Sequence, residues 1–201
     1  MTEIQQEICP ITGEDLFIIL DRPNVKFEYP IHCHPEYEIN VVINSNGTRV
    51  IGDSEESFSG LDFVMLGPYV SHVWKSEQEN NHEITIQFSG DLLNFHIMNK
   101  RLFMPIKQLL MDSMQGLHFY GEEAERIKDE IMDLTKMQGF QTATKFLNIL
   151  SIDKDITNMN LRVGDSSTPI FFAFLSNTKY AITYKDIICT NYNIFRIRCQ
   201  V

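Results

Sequence analysis

The stretch that decides the fold is Tyr29–Glu38, which reads YPIHCHPEYE. His32, His34 and Glu38 are separated by even numbers of residues, so in an extended chain their side chains project from one face of a strand. His72 follows a Gly-Pro turn further along the chain. Three imidazoles and one carboxylate suit a first-row divalent metal. Polar residues at a strand entrance would give the same pattern without any ligand, so the spacing alone leaves both interpretations open.

The sequence on either side of this stretch predicts a β domain. Residues 16 to about 90 form short segments rich in Ile, Val, Phe and Tyr, separated by turn-forming residues, which is typical of a sandwich or barrel. The Ser45-Asn46-Gly47 segment predicts a tight hairpin turn, because Asn-Gly readily adopts positive φ angles. Alternate residues on the strand before it have the opposite parity to the histidines, and we expect them to pack against the later helices: Tyr37, Ile39, Val41 and Ile43.

From Asp91 the apolar period becomes helical and predicts three amphipathic helices, within residues 102–114, 127–134 and 140–150. The fold class expected is therefore mainly β with C-terminal α. The last helix carries an apolar stripe that could either pair two copies of the chain or pack on the chain's own sheet: Phe140, Phe146, Leu147 and Leu150.

Composition excludes several classes of protein. The 201 residues carry a formal net charge of −10, which repels phosphate and argues against nucleic acid as a partner. Apolar runs are far too short for a membrane span, and the acidic N-terminus does not resemble a signal peptide. We expect a cytoplasmic protein whose four cysteines are free thiols, since no Cys-x-x-Cys pair occurs.

The motifs together resemble those of the cupin superfamily, and more narrowly the N-terminal effector-sensing domain of AraC-type transcriptional regulators. His32, His34 and Glu38 match the first cupin motif; Gly60, Pro68 and His72 match the second. The resemblance covers residues 10 to 152. It implies a jelly-roll β-barrel over residues 1–95 and a helical dimerisation or linker segment over residues 96–152.

The resemblance implies a small-molecule-sensing and dimerisation module of a regulator rather than an enzyme, with a small organic effector, such as a sugar, in the barrel. It implies ligand contacts from His32, His34, Glu38, His72 and Trp74. The alternative is a metal-dependent cupin enzyme, of dioxygenase or sugar isomerase type, in which the three histidines and Glu38 would hold Fe, Mn, Zn or Ni. No resident cofactor is expected, because the chain departs from enzymatic cupin motifs at three places: Lys26, Gly67-Pro68-Tyr69 and Ser76.

Other candidates have structural interpretations. We expect Cys33 to be a buried packing thiol, since its parity is opposite to that of the flanking histidines. Trp74 could stack on a sugar or pack at a strand end, and His82 is expected at an exposed hairpin tip. His96 and His118 have no ligand spacing.

The tail, residues 153–201, differs in texture from the rest of the chain. From Ile156 it has five basic and two acidic residues, no sustained periodicity and an interrupting Pro169. It contains no recognisable helix-turn-helix, so we expect no specific DNA binding by this chain. Two interpretations fit: a natural stand-alone sensor, or a tail of non-native sequence produced by a frameshift, and the change in composition favours the second.

Overall fold

The computed structural model describes residues 4–151 and 196–198. Its strands are β1 (Gln5–Ile8), β2 (Ile18–Val25), β3 (His32–Cys33), β4 (Tyr37–Ile51), β5 (Ser54–Leu66), β6 (His72–Lys75), β7 (Asn81–Phe88), β8 (Leu117–Phe119) and β9 (Arg196–Arg198). The helices are α1 (Met104–Asp112), α2 (Gly121–Leu134) and α3 (Phe140–Leu150). Short 3-10 turns span Gly90–Asn94, His96–Asn99, Arg101–Phe103 and Ser113–Gln115. The predicted fold class, mainly β followed by three helices, is confirmed.

The long strand β4 organises the sheet. Its first half, Tyr37–Ile43, lies between β5 and β7, whereas its second half pairs with β5 and β6. A register shift between Val42 and Ser45 separates the halves, and Asn44 adopts a φ of 54° there. The strand order is β2-β7-β4-β6-β3-β1-β9, and β5 pairs with both β4 and β8. One strand therefore contributes side chains to both ends of the sheet.

The hairpin turn predicted at Ser45-Asn46-Gly47 is wrong, because β4 runs straight through these residues. The chain turns instead at Gly52 and Asp53, where Gly52 has a φ of 55°. Gly47 is needed for a different reason. A Cβ on it would lie 2.1 Å from the carbonyl oxygen of Lys75 on β6, so only glycine allows the two strands to approach this closely.

The main core lies between the sheet and the helices, as the alternation along β4 predicts. Tyr37, Ile39, Val41 and Ile43 are buried with Phe63 and Met65 of β5 and with apolar residues of all three helices, including Ile106, Leu109, Ile127, Ile131, Phe146 and Leu150. The stripe predicted on α3 therefore packs on the chain's own sheet: Phe146 and Leu150 are fully buried, Leu147 packs against the core, and Phe140 remains exposed.

The opposite face of the sheet has a smaller apolar cluster. Val42, Ile51, Phe58, Val64, Leu66 and Trp74 form it. Next to this cluster the same face becomes polar, and the histidines of the opening stretch lie there.

Within residues 4–151 and 196–198, no helix is long and apolar enough to cross a membrane. The prediction that residues 153–201 are non-native concerns positions that, apart from β9, lie outside the described residues.

We expect Gly47→Ala to lower the free energy of unfolding by about 2 kcal/mol or more, because the new methyl group would force β4 and β6 apart. Gly13→Ala is the control, since a Cβ there meets no atom within 4 Å. Urea denaturation of both variants measures the difference. Equal unfolding midpoints would contradict the close approach at Gly47.

Candidate functional site

The sheet brings the four residues of the sequence motifs together. His32 on β3 lies directly opposite His72 on β6 in the antiparallel register. His34 follows β3, and Glu38 is the second residue of β4. The prediction that His32, His34 and Glu38 share one extended strand is therefore wrong, because the chain bends at Pro35 and Glu36 between the two strands. His34, Glu38 and His72 are buried, and His32 is nearly so. The site is therefore inside the fold, on the side of the sheet away from the helices.

The imidazoles pack against one another and against the Glu38 carboxylate. Ring centroids of His32 and His72 are 4.2 Å apart, and those of His34 and His72 are 5.2 Å apart. His34 Nε2 donates to Glu38 Oε2 at 3.0 Å, and His72 Nε2 lies 3.6 Å from Glu38 Oε1. The ligand nitrogens of the three histidines lie within 4.8 Å of one another.

Backbone carbonyls orient two of the rings. His32 Nδ1 lies 3.0 Å from the Pro30 carbonyl, and His72 Nδ1 lies 2.8 Å from the Val70 carbonyl. Each Nδ1 therefore carries a proton. His72 Nε2 presents its lone pair to the cluster, whereas His32 Nε2 lies 3.4 Å from Glu7 Oε2. Burial lowers the pKa of His72 to about 3, and the neighbouring His32 adds to this effect. His72 is therefore a neutral acceptor at physiological pH.

His34 and Glu38 form the charged pair of the site. Burial disfavours the charged form of each group, but their mutual contact reverses both effects. Interactions with Cys9, Glu36 and Glu38 raise the pKa of His34 well above its usual value. The charge of His34 and hydrogen bonds from His34 and Gln87 lower the pKa of Glu38. The site therefore contains a carboxylate held by an imidazolium.

Sequence reasoning missed the polar wall beside Glu38. Asn40 Nδ2 donates to Glu83 Oε1 at 2.9 Å and lies 3.4 Å from Glu38 Oε1, while Gln87 Nε2 donates to Glu38 Oε2 at 3.0 Å. Glu83 pairs with Arg22 Nη2 at 2.7 Å. The sequence pattern could have shown this, because Asn40 is two residues after Glu38 and so lies on the same face of β4. Glu83 and Gln87 share one face of β7 for the same reason. Register between β4 and β7 brings the two sets together.

Trp74 borders the site and is held by packing and one hydrogen bond. Its ring centroid lies 5.7 Å from that of His72, and its indole Nε1 donates to Asp62 Oδ2 at 2.7 Å. Asp62 also pairs with the fully buried Arg49, whose Nη2 lies 2.6 Å from Glu56 Oε2. Trp74 is 5% exposed, so it forms a fixed wall rather than an open stacking surface.

The remaining sequence candidates lie elsewhere. Cys33 is buried, as predicted. The prediction for His82 is wrong, since it lies within β7 rather than at a hairpin tip, and its Nε2 is 2.8 Å from Asp21 Oδ1. His118 lies on β8 and contacts Asp62 at 3.5 Å, and burial lowers its pKa to about 4.

The residues present fit a divalent metal. The carbonyl-bound Nδ1 of His72 fixes a lone pair on its Nε2, and this buried atom has no hydrogen-bond partner. A metal would be held by His32, His34 and His72 with Glu38 as a fourth ligand, and His34 would lose its Nε2 proton when the metal binds.

No protein-family model matches the chain, and no curated protein matches it. Solved structures with a similar fold include apo ToxT K231A from Vibrio cholerae, at 12% identity and a TM-score of 0.48, covering 69% of this chain and 54% of that one. A second ToxT structure matches at 9% identity and a TM-score of 0.45, covering 88% of this chain and 66% of that one. A Cupin 2 conserved barrel domain protein from Salinispora arenicola matches at 19% identity and a TM-score of 0.32, covering 43% of this chain and 75% of that one.

The chain spans less than two thirds of these ToxT chains. ToxT is an AraC-family regulator, so the similar structures are of the two kinds that the sequence motifs resemble. Similarity at these identities and TM-scores assigns no function to this chain.

Replacing Asp62 tests how much its contacts with Arg49 and Trp74 stabilise the fold. Asp62→Asn leaves the buried Arg49 guanidinium without its most buried carboxylate, so we expect the free energy of unfolding to fall by about 3 kcal/mol. Glu56→Gln is the matched control, because the Glu56 side chain is 41% exposed and its loss should cost about 1 kcal/mol or less. Guanidinium denaturation compares the two variants, and equal losses would contradict the assigned role of Asp62.

Proposed function

We propose that this chain is the small-molecule-sensing module of an AraC-like transcriptional regulator, and that the Glu38 cluster is its ligand site. One observation supports this proposal most directly. Three buried atoms around the Glu38 carboxylate have no hydrogen-bond partner: His72 Nε2, Asn40 Oδ1 and Gln87 Oε1. Leaving a buried polar atom unsatisfied costs about 1–3 kcal/mol, so a site with three such atoms is suited to a ligand that satisfies them.

The chemistry of these atoms indicates the class of ligand. All three accept hydrogen bonds, because Asn40 and Gln87 turn their amide nitrogens toward carboxylates and His72 uses its proton on Val70. A ligand with several hydroxyl donors, such as a sugar or polyol, complements this arrangement. Wild-type ToxT has been solved with an unsaturated fatty acid bound. A fatty-acid carboxylate placed here would face Glu38, so we favour the polyol class.

Strand β4 offers a route from ligand to helices. Glu38 and Asn40 contribute to the site, whereas Ile39 and Val41, which alternate with them, are buried in the core shared with the helices. A ligand that shifts β4 therefore changes the packing beneath α1 and α3. In a regulator this shift would favour one arrangement of barrel and helices over another.

The alternative is a metal-dependent cupin enzyme, favoured by the close grouping of His32, His34 and His72. A bound Fe or Mn would supply Lewis-acid or redox chemistry there. Metal analysis of protein purified without an affinity tag separates the two. An enzyme of this type should contain Fe or Mn in stoichiometric amount and lose it in His72→Ala.

Ligand binding tests the sensing proposal. Calorimetric titration with a panel of monosaccharides and polyols should identify at least one that binds, with an unsaturated fatty acid as the comparison. Gln87→Leu removes one unpaired acceptor and a donor to Glu38, so we expect at least about a tenfold loss in affinity, or about 1.4 kcal/mol. Gln141→Leu, on the exposed start of α3, is the matched control. Tight binding of the fatty acid alone, or equal affinity of Gln87→Leu and the parent chain, would contradict the polyol proposal.

Self-association also belongs to this proposal, together with a cytoplasmic location and the absence of specific DNA binding. Burial of Phe146 and Leu150 removes most of the predicted stripe from the surface. Leu102 and Phe140 remain 81% and 87% exposed, and we propose that they lie at a homodimer contact. Phe140→Lys should convert a dimer to a monomer in light scattering, whereas Gln141→Lys should not. A monomeric parent chain would refute the dimer.

A further inference from the structure

A second group of side chains that can bind a metal lies where β1 approaches the loop between β3 and β4. The ligand atoms of Glu7, Cys9 and His34 are within 4.8 Å of one another. Glu36 Oε2 lies 3.5 Å from His34 Nδ1. Cys9 and His34 are buried, and the side chains of Glu7 and Glu36 are only 12% and 14% exposed. The cluster combines one thiol, one imidazole and two carboxylates in a nearly closed space.

The orientation of His34 distinguishes this cluster from the polyol site. Its Nε2 donates to Glu38, so its Nδ1 faces Cys9 and Glu36. His34 is 2% exposed, yet Nδ1 has no neighbour in hydrogen-bonding geometry. Glu36 Oε2 is buried and likewise has no hydrogen bond. A carboxylate on one imidazole nitrogen with a ligand position on the other is the arrangement that orients metal-binding histidines.

We propose that Glu7, Cys9, His34 and Glu36 bind a zinc ion that holds strand β1 against the loop between β3 and β4. Thiolate, imidazole and carboxylate together are ligands that zinc accepts in tetrahedral geometry. Zinc bond lengths place neighbouring ligand atoms about 3.5 Å apart. The ligand atoms of Glu7, Cys9 and His34 already lie within 4.8 Å of one another, and the Glu36 carboxylate, next to His34, must turn toward the other two to complete the set. Zinc replaces the protons on Cys9 Sγ and His34 Nδ1, which pass to solvent.

The topology explains why a metal would be useful here. Strand β1 pairs with β3 at only two positions, Gln5 with His32 and Gln6 with Cys33. Two ligands come from β1 and the residue after it, and two come from the loop between β3 and β4. A shared metal would fix the end of β1 and, through His34, the hydrogen bond to Glu38 in the ligand site.

Cobalt(II) provides a probe that reports thiolate ligation directly. The full chain, stripped of metal with a chelator, is titrated with Co(II) and then with Zn(II) as a competitor. We expect one equivalent of Co(II) to produce a near-ultraviolet thiolate charge-transfer band that one equivalent of Zn(II) removes. Binding without this band, or no binding, would overturn the proposal. Either result leaves sugar binding at the Glu38 cluster as a separate question.

Matched variants locate the thiolate. Cys9→Ser should abolish the band, and Glu36→Gln should weaken Co(II) binding by about tenfold or more. Cys33→Ser is the control, because Cys33 is also a buried cysteine outside any disulfide but lies outside the ligand set. His72→Gln should leave the band unchanged, since His72 belongs to the other group of histidines. Circular dichroism confirms that each variant is folded, and the parent chain's band tests thiolate ligation without any variant. A band that survives Cys9→Ser, or that is lost in Cys33→Ser or His72→Gln, would overturn the assignment.

Discussion

The buried carboxylate of Glu38 is the constraint on which the polar half of this structure depends. A carboxylate taken out of water is costly unless charge and hydrogen bonds compensate for it. His34 and Gln87 donate to one of its oxygens, and Asn40 and His72 lie beside the other. Each of these partners is itself polar and buried, so the requirement spreads from β4 to β6 and β7. A buried polar cluster with unpaired acceptor atoms results.

Strand β4 separates the polar cluster around Glu38 from the apolar core. Its alternate residues face the Glu38 cluster on one side and the helices on the other, so neither environment can change without moving the same backbone. The register shift after Val42 allows the strand to leave β7 and pair with β6. This pairing brings His72 next to His32. His72 is on β6, which pairs with β3, and it lies directly opposite His32 there.

A second buried ion pair holds Trp74 in place beside the Glu38 cluster. Arg49 and Asp62 form an ion pair inside the sheet, and Asp62 also holds the indole of Trp74. Trp74 is thus positioned beside His72 without needing a ligand. The two charged centres, Glu38 and Asp62, lie on adjacent strands that pair along most of their length. Both resist rearrangement, because moving either partner would leave a buried charge uncompensated.

The sequence by itself determined the period-two alternation of β4 and the helical period after residue 91, since these depend only on local geometry. It also pointed to His32, His34 and Glu38, although these residues come together across a bend between β3 and β4 rather than along one strand. It misled at Gly47, where Asn-Gly indicated a turn but the neighbouring carbonyl of Lys75 requires a glycine within a strand. Only the tertiary structure placed Gln87 beside Glu38 and brought Cys9 to His34. These contacts join residues that are distant in sequence, so they depend on strand register and loop paths, which local residue patterns do not encode.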